Sequence, residues 1–185
     1  VITCEFPHLE TLLKFNQFDT IYHEHFCYFS ATAIAALAAR HNMVFVDVEE
    51  LPTHGGSLRV YIAHQGAPSQ AVRDRLAHEA AAGFKTLDFY AGFSARVKAT
   101  KRKLLSFLIE AKNAGKKVCG YGAPGKGNTL LNYCGIGADF IDFTVDRNPH
   151  KHGRFTPGTH IPIRPVEAIN EAKPVIESLI KNGKM

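Results

Sequence analysis

Four consecutive residues, Tyr22-His23-Glu24-His25, carry the groups from which acid–base chemistry is built. A histidine near neutral pKa takes up a proton, and a carboxylate beside it fixes its orientation. A tyrosine hydroxyl can hydrogen-bond an oxyanion as it develops. In a strand, Tyr22 and Glu24 would share one face and His23 and His25 the other, whereas a loop can bring three of them together. A metal would need a third ligand beside the two histidines, and neither His8 nor His54 is selected by spacing. An aromatic core segment with surface histidines has the same composition, so the residues alone leave the two readings level.

The second chemical signal is Gly120-Tyr121-Gly122-Ala123-Pro124-Gly125. It fits G-x-G-x-x-G between an expected strand and an expected helix. Asp146 stands about 20 residues on, at the end of the next strand, where a ribose-binding acid would sit. Glycines there let backbone N–H groups approach a pyrophosphate at a helix N-terminus. Pro124 removes one of those donors, and the sheet looks short for both halves of a dinucleotide. Gly120, Gly125 and Lys126 also match most of a P-loop, but Gly127 stands where a magnesium-binding hydroxyl belongs. A Rossmann-like turn for the phosphates of another nucleotide, or a tight turn with no ligand, completes the alternatives. Lys126, Asn128 and Thr129 add donors and favour phosphate binding.

The elements that must position these groups follow from pattern. Strands are expected at Val1–Phe6, Met43–Val48 and Ser57–Ala63, the last two as an antiparallel pair at a sheet edge. A short helix is expected from Pro7 to Lys14, opened by its proline, and another from Ala31 to Arg40 with Ser30 as N-cap. Helical spacing runs from Ser69 to Ala82 and from Thr86 to Ala114, with Gly92 as a possible break and Gly115 as the stop. Strand Lys117–Tyr121, helix Thr129–Tyr133 and strand Phe140–Val145 form a β-α-β unit and predict a parallel sheet. The fold class expected is α/β.

The chain has 185 residues, 45% hydrophobic and 21% charged, enough apolar surface to exclude disorder as a whole. Its longest near-apolar run, Ala31–Ala39, is far short of a bilayer span, so no membrane partner is expected. The first residues do not read as a signal peptide, and a start without Met inside an expected strand predicts a fragment or a processed product. Net charge is +5, which suits an anionic ligand. Nucleic acid is not expected, because the densest basic group, Lys98, Lys101, Arg102 and Lys103, wraps around a helix as a solvated face. Cysteines at 4, 27, 119 and 134 form no CxxC pair. They suit small core positions in a reducing, cytoplasmic setting, with no zinc site built by this chain.

Taken in order, Phe18-Asp19-Thr20-Ile21-Tyr22-His23-Glu24-His25-Phe26, Thr53-His54-Gly55-Gly56-Ser57-Leu58-Arg59 and Gly120 to Thr129 resemble one family. Val145-Asp146-Arg147-Asn148-Pro149-His150-Lys151 and His152-Gly153 continue the match. It is the C-terminal portion of the S-adenosylmethionine-dependent nucleotide-sugar C-methyltransferases that act on keto-deoxysugars. The resemblance implies an N-terminal zinc-binding domain, a central methyltransferase domain and a C-terminal Rossmann-like domain, with the nucleotide-diphosphate sugar between the last two. Residues 1–65 would then be the tail of the methyltransferase domain, and residues 69–185 a helical linker plus the Rossmann-like domain. The S-adenosylmethionine and zinc sites would lie upstream, leaving this chain inactive alone.

The implied reaction is methylation of a carbon beside a ketone. On the resemblance, His25 is the general base, Glu24 and Tyr22 orient it or hold the enolate oxygen, and His23 is structural. Ser57 and Arg59 line the sugar-nucleotide cleft or stabilise their strand. Gly122, Lys126, Asn128 and the turn amides face the diphosphate, and Asp146 and Arg147 close the far side. Two departures stand out. Gly125 occupies a position commonly Ala, and Val175–Met185 reads as a short helix-like tail where a further apolar strand is expected, which predicts an incomplete sheet. The rival readings are an NAD-binding oxidoreductase domain, on Gly120, Gly122, Gly125 and Asp146, and a non-catalytic oligomerisation module using the long helix. The sequence sets no oligomeric state.

Overall fold

A computed structural model of the chain describes residues 1–172 and 175–177. They divide into two compact units. The first comprises Val1–Gln17 and His25–Ser94, and the second Phe18–Glu24 and the chain from Ala95 onward.

The first unit is built on a three-stranded antiparallel sheet of β1 (Ile2–Pro7), β2 (Val44–Leu51) and β3 (Ser57–Ala63), in the order β1-β3-β2. Alternation along β3 turns Leu58, Val60 and Ile62 inward and leaves Arg59 and Tyr61 on the other face. The inward residues pack with Ala31, Ile34 and Ala38 of α2 (Ala31–Arg40) and Val72 of α3 (Gln70–Ala82). The expected antiparallel β2–β3 pair is present with β2 at the sheet edge, and β3 lies at the centre because β1 pairs along its other side from Ile2↔Ile62 to Pro7↔Ser57.

Pro7 closes β1 instead of opening a helix: it still pairs with Ser57, and α1 (Leu9–Lys14) starts after His8, whose backbone is extended. Ser30 caps α2 by accepting from Ala33 N at 3.1 Å, and Ser69 caps α3 by accepting from Val72 N at 3.2 Å. Gly92 interrupts the long helical run, separating α4 (Leu87–Ala91) from α5 (Phe93–Asn113).

The second unit holds a four-stranded, fully parallel sheet in the order β6-β5-β4-β7, made of β4 (Val118–Tyr121), β5 (Phe143–Val145), β6 (Ile163–Arg164) and β7 (Val175–Glu177). With α5, α6 (Gly125–Cys134) and α7 (Ala168–Ala172), it makes the protein the mixed α/β chain that the pattern predicts. Val97, Leu104, Leu108 and Ala111 are buried on α5 at intervals of a helical face, while Lys98, Arg102 and Lys103 are exposed.

Three expectations are corrected in this unit. The helix α6 begins at Gly125, four residues before Thr129, because Pro124 takes the extended N-cap conformation and the packed helix overrides the low propensity of Gly125 and Gly127. The strand expected over Phe140–Val145 is regular only from Phe143, since Phe140 N and Ile141 N both bond back to Gly137 O. Val175–Glu177 is a strand, not the start of a helix: it pairs with Val118–Gly120, so the sheet gains a member where a gap was expected. The remainder of that expected helix, residues 178–185, lies outside the described residues.

The cysteines are divided. Cys119 and Cys134 are buried, and burial pushes both thiols up. Cys4 and Cys27 are exposed, contrary to the core expectation, because Cys4 lies on the edge strand β1 and Cys27 in a segment without regular structure. Among the described residues no helix is long and apolar enough to cross a membrane.

Candidate functional site

At the C-terminal end of β4 the chain leaves the parallel sheet through the glycine turn. Gly122 adopts φ +101°, a conformation that strains a side-chain-bearing residue, and its ends are fastened to β5. Its N–H donates to Val145 O at 2.6 Å, and its carbonyl accepts from Thr144 Oγ1 at 2.8 Å. Gly120 is needed for a different reason: a Cβ there would stand 3.0 Å from Thr144 Oγ1.

Asp146, one residue past β5, shapes the rest of the turn. Its Oδ2 accepts from Ala123 N at 2.8 Å and Lys151 Nζ at 2.9 Å, and its Oδ1 from Asn148 N at 2.9 Å. Lys151 also donates to Ala123 O at 3.0 Å. Burial pushes the Asp146 carboxyl up, but these hydrogen bonds outweigh it and hold the group below its ordinary value. Both carboxylate oxygens serve the turn. Three of the roughly four acceptor positions of the carboxylate are therefore taken by the turn itself. Arg147, next in sequence, is exposed.

The turn delivers the chain to the N-terminus of α6, where Pro124 supplies no side-chain cap. The opening N–H groups of a helix lack intrahelical partners and carry the positive end of its dipole. Lys126 lies in this first turn. Asn128 follows, and its Oδ1 is buried with no hydrogen-bond partner among the described residues. It lines a slot of about 20 Å³ formed with Gly122, Leu131, Thr144 and Ile161, too small for a base or sugar ring. Any nucleotide at this turn must lie over it.

The first three residues of the Tyr-His-Glu-His run belong to this same unit. The 3-10 turn Phe18–Thr20 packs on α6, with the Phe18 ring 5.2 Å from that of Tyr133. Tyr22 then lies over Gly125, its Cζ 3.7 Å from where a Cβ would stand. His23 and Glu24 are exposed. His25 begins the next stretch of the first unit, half-buried, its ring 6.5 Å from that of Tyr28.

Ser57 and Arg59 also belong to the first unit, and both are engaged there. Ser57 Oγ donates to Thr53 O at 3.0 Å. Arg59 bridges Glu5 at 3.0 Å and Glu49 at 3.5 Å across the three strands. The Thr53 hydroxyl and Arg59 together hold the Glu5 carboxyl below its ordinary value. A cleft of about 600 Å³ in this unit is lined by Glu10, Lys14, Glu50, Asp74, Arg75 and His78. Much of its charge is internally matched, with Arg75 on Glu10 and Glu50 and His78 on Glu10. Among the described residues no cluster of three or more His, Cys, Asp or Glu could hold a metal ion.

Sequence reasoning missed two buried partners in the first unit. Glu79 is fully buried on α3, accepting from Ala31 N at 2.8 Å and Thr32 N at 2.7 Å, with His8 Nε2 at 3.2 Å. Burial pushes this carboxyl up, yet the hydrogen bonds from His8, Thr32 and Ala31 bring it down to about 2. No local pattern announces it, because its partners lie 47 to 71 residues away. Lys151 was likewise unassigned, although its five-residue spacing from Asp146 was the available signal.

Comparison with known proteins places this geometry. A family profile described as "C-methyltransferase C-terminal domain" matches residues 52–180. The C-methyltransferase NovU of Streptomyces niveus is 42% identical over 165 residues, which is 86% of this chain and 39% of NovU. The chain thus spans well under half the length of that relative. With the profile covering the β3 strand, the helical section and the whole glycine turn, the chain belongs to the C-methyltransferase C-terminal domain family.

Proposed function

We propose that this chain is the C-terminal part of a cytoplasmic, S-adenosylmethionine-dependent methyltransferase. Its substrate would be a nucleotide-linked keto-deoxysugar, methylated on a carbon next to the ketone. In this reading residues 1–65 are the tail of the methyltransferase domain, and residues 69–185 a helical linker with a Rossmann-like nucleotide-sugar domain. The methyl donor and zinc are held by parts of the enzyme outside this chain. When bound, the donor supplies one electrophilic methyl group.

The observation that carries the reading is the seating of Tyr22 over Gly125, at the N-terminus of α6. That helix end, with Lys126, suits a diphosphate. The unpartnered Asn128 Oδ1 is an acceptor for a ligand donor such as a sugar hydroxyl. Gly122 keeps the turn open to the phosphates, and Asp146 holds the turn's shape. Arg147, exposed beside it, closes the far side, while Ser57 and Arg59 line the sugar end or stiffen β3.

His25 removes the proton from the carbon next to the ketone, and Tyr22 holds the oxygen of the resulting enolate. Glu24 orients the imidazole. A ketone makes that proton acidic enough for a histidine, which is why the substrate must carry one.

Calorimetric titration of the chain with thymidine diphosphate and, separately, NAD tests the nucleotide site. Binding of the diphosphate, weakened at least tenfold in Lys126→Ala, is expected. Binding of NAD alone would overturn the reading. In the full-length enzyme, His25→Asn should abolish turnover at saturating substrate, and unchanged turnover would reject His25 as the base.

A further inference from the structure

The slot beneath the glycine turn brings together an acceptor and a donor that no other described residue uses. The acceptor is Asn128 Oδ1, buried without a hydrogen-bond partner among the described residues. The donor is the N–H of Gly127, a buried residue that lines the same slot. It belongs to the first turn of α6, whose N–H groups have no partner within the helix. Among the described residues it makes no hydrogen bond elsewhere.

The other polar groups around the slot are committed. Gly122 N donates to Val145 O and Ala123 N to Asp146 Oδ2. The Thr144 hydroxyl donates to Gly122 O, while Thr156 Oγ1 pairs with Thr159 Oγ1 and accepts from Ile161 N. Gly127 and Asn128 are left to each other across the slot.

Resting on the reading above, in which a diphosphate lies over this turn, we propose that the slot is a hydration site of the phosphate-binding surface. One water accepts from Gly127 N–H, donates to Asn128 Oδ1 and presents its second hydrogen to the diphosphate.

Size and polarity select the occupant. The slot measures about 20 Å³, above the roughly 10–15 Å³ that one water requires. A phosphate oxygen cannot take the place itself, because it has no hydrogen for Asn128 Oδ1 and two acceptors would face each other. A water reverses that polarity: it satisfies the acceptor inside and shows a hydrogen outside. Such a bridge is enthalpically close to a direct hydrogen bond. Asn128 thus contributes to anion binding although its inward atom is an acceptor.

The test is a pair of atomic-resolution crystal structures of the 185-residue chain, alone and with inorganic pyrophosphate, beside calorimetry on wild type, Asn128→Leu and Lys126→Ala. Both wild-type structures should show one ordered water hydrogen-bonded to Gly127 N and Asn128 Oδ1. In the second structure it should also reach a phosphate oxygen. Asn128→Leu, which has similar bulk and no acceptor, should bind pyrophosphate about three- to tenfold more weakly, the worth of one hydrogen bond.

A slot without water in wild type, or a water displaced when pyrophosphate binds, overturns the proposal. So does an Asn128→Leu variant that binds as wild type does. In each of these cases weaker binding by Lys126→Ala leaves the diphosphate site standing. If wild type binds no pyrophosphate, or Lys126→Ala binds it equally well, the site reading fails and the water's role in it fails too. Should Asn128→Leu not fold, the two wild-type structures decide alone.

Discussion

In the first unit Glu79 gathers the backbone N–H groups of Ala31 and Thr32 and the ring of His8, while in the second Asp146 gathers those of Ala123 and Asn148 and the ammonium of Lys151. The donor sets are almost the same, two amides and one basic side chain. The surroundings are not: the side chain of Glu79 is 0% exposed and that of Asp146 13%. Glu79 reaches from α3 to the start of α2 and to His8, so it joins segments far apart in sequence. Asp146 works within its own turn and a neighbouring strand end, and what it holds in shape is a surface that presents the N-terminus of α6. One carboxylate maintains the fold, the other a presentation.

The largest expected effect breaks the first of these. Glu79→Ala would leave two amides and a histidine without their acceptor in a buried place, a loss of about 3–5 kcal/mol. Hydrogen exchange should report it as lost protection at Val60 and Ile62 of β3. Protection reduced by less than about 1 kcal/mol would show that water replaces the carboxylate, and the contrast with Asp146 would collapse.

Acid separates the two carboxylates next. The Glu79 carboxyl is lowered from 4.5 to about 2 by folding, so its contribution is fully present above pH 4.5 and is lost as the pH falls through about 2. The difference corresponds to about 3 kcal/mol. Urea midpoints taken at pH 6, 4 and 2.5 should fall steeply for wild type and much less for Glu79→Gln. Equal acid sensitivity in both proteins would assign the loss to other groups. Asp146 contributes with the same sign, stabilising above its ordinary carboxylate range and less as acid neutralises it.

Asp146→Asn is the third test and the milder one. An amide can still accept one hydrogen bond, and Lys151 stays solvated, so the cost is about 1–2 kcal/mol. The functional cost should exceed it: Ala123 N loses its anchor and thymidine diphosphate binding should weaken about tenfold by calorimetry, which corresponds to 1.4 kcal/mol. A variant that binds as wild type does would make Asp146 another Glu79, a stabilising group without bearing on the site.

The same contrast explains what was legible beforehand. The strand Ser57–Ala63 could be read to its ends, because strict alternation of Leu58, Val60 and Ile62 with Arg59 and Tyr61 is a local signal. Ser30 was legible as a cap for the same reason, since it serves an amide three residues on. The strand Val175–Glu177 was not, because a three-residue strand with only two apolar residues takes its conformation from a partner at Val118–Gly120. The glycine turn was legible as strand–turn–helix, but the start of α6 at Gly125 was not, since packing overrides glycine's propensity. Asp146 could be placed at a strand end by spacing alone. That its oxygens close the turn depends on Lys151, Asn148 and Ala123 arriving together, which no spacing rule contains. Glu79 stayed hidden because its partners lie far off in sequence.

The smallest effect sharpens the difference between the two helix starts. The first turn of α2 is closed by protein groups: Ala31 N and Thr32 N donate to Glu79, and Ala33 N to Ser30 Oγ. The first turn of α6 has Pro124 at its N-cap, which makes no side-chain cap hydrogen bond. Ser30→Ala should therefore cost only about 0.5–1 kcal/mol, the low end for an N-cap, because Glu79 still holds two of the three amides. In the Glu79→Gln background the same change should cost more, since the weakened acceptor leaves Ser30 as the main cap. Hydrogen exchange at Ala33 and Ile34 in the four proteins of that cycle measures the coupling. If the two changes are strictly additive, the carboxylate and the serine act on α2 independently. The closed end of α2 would then be two separate contacts rather than one cap that α6 does without.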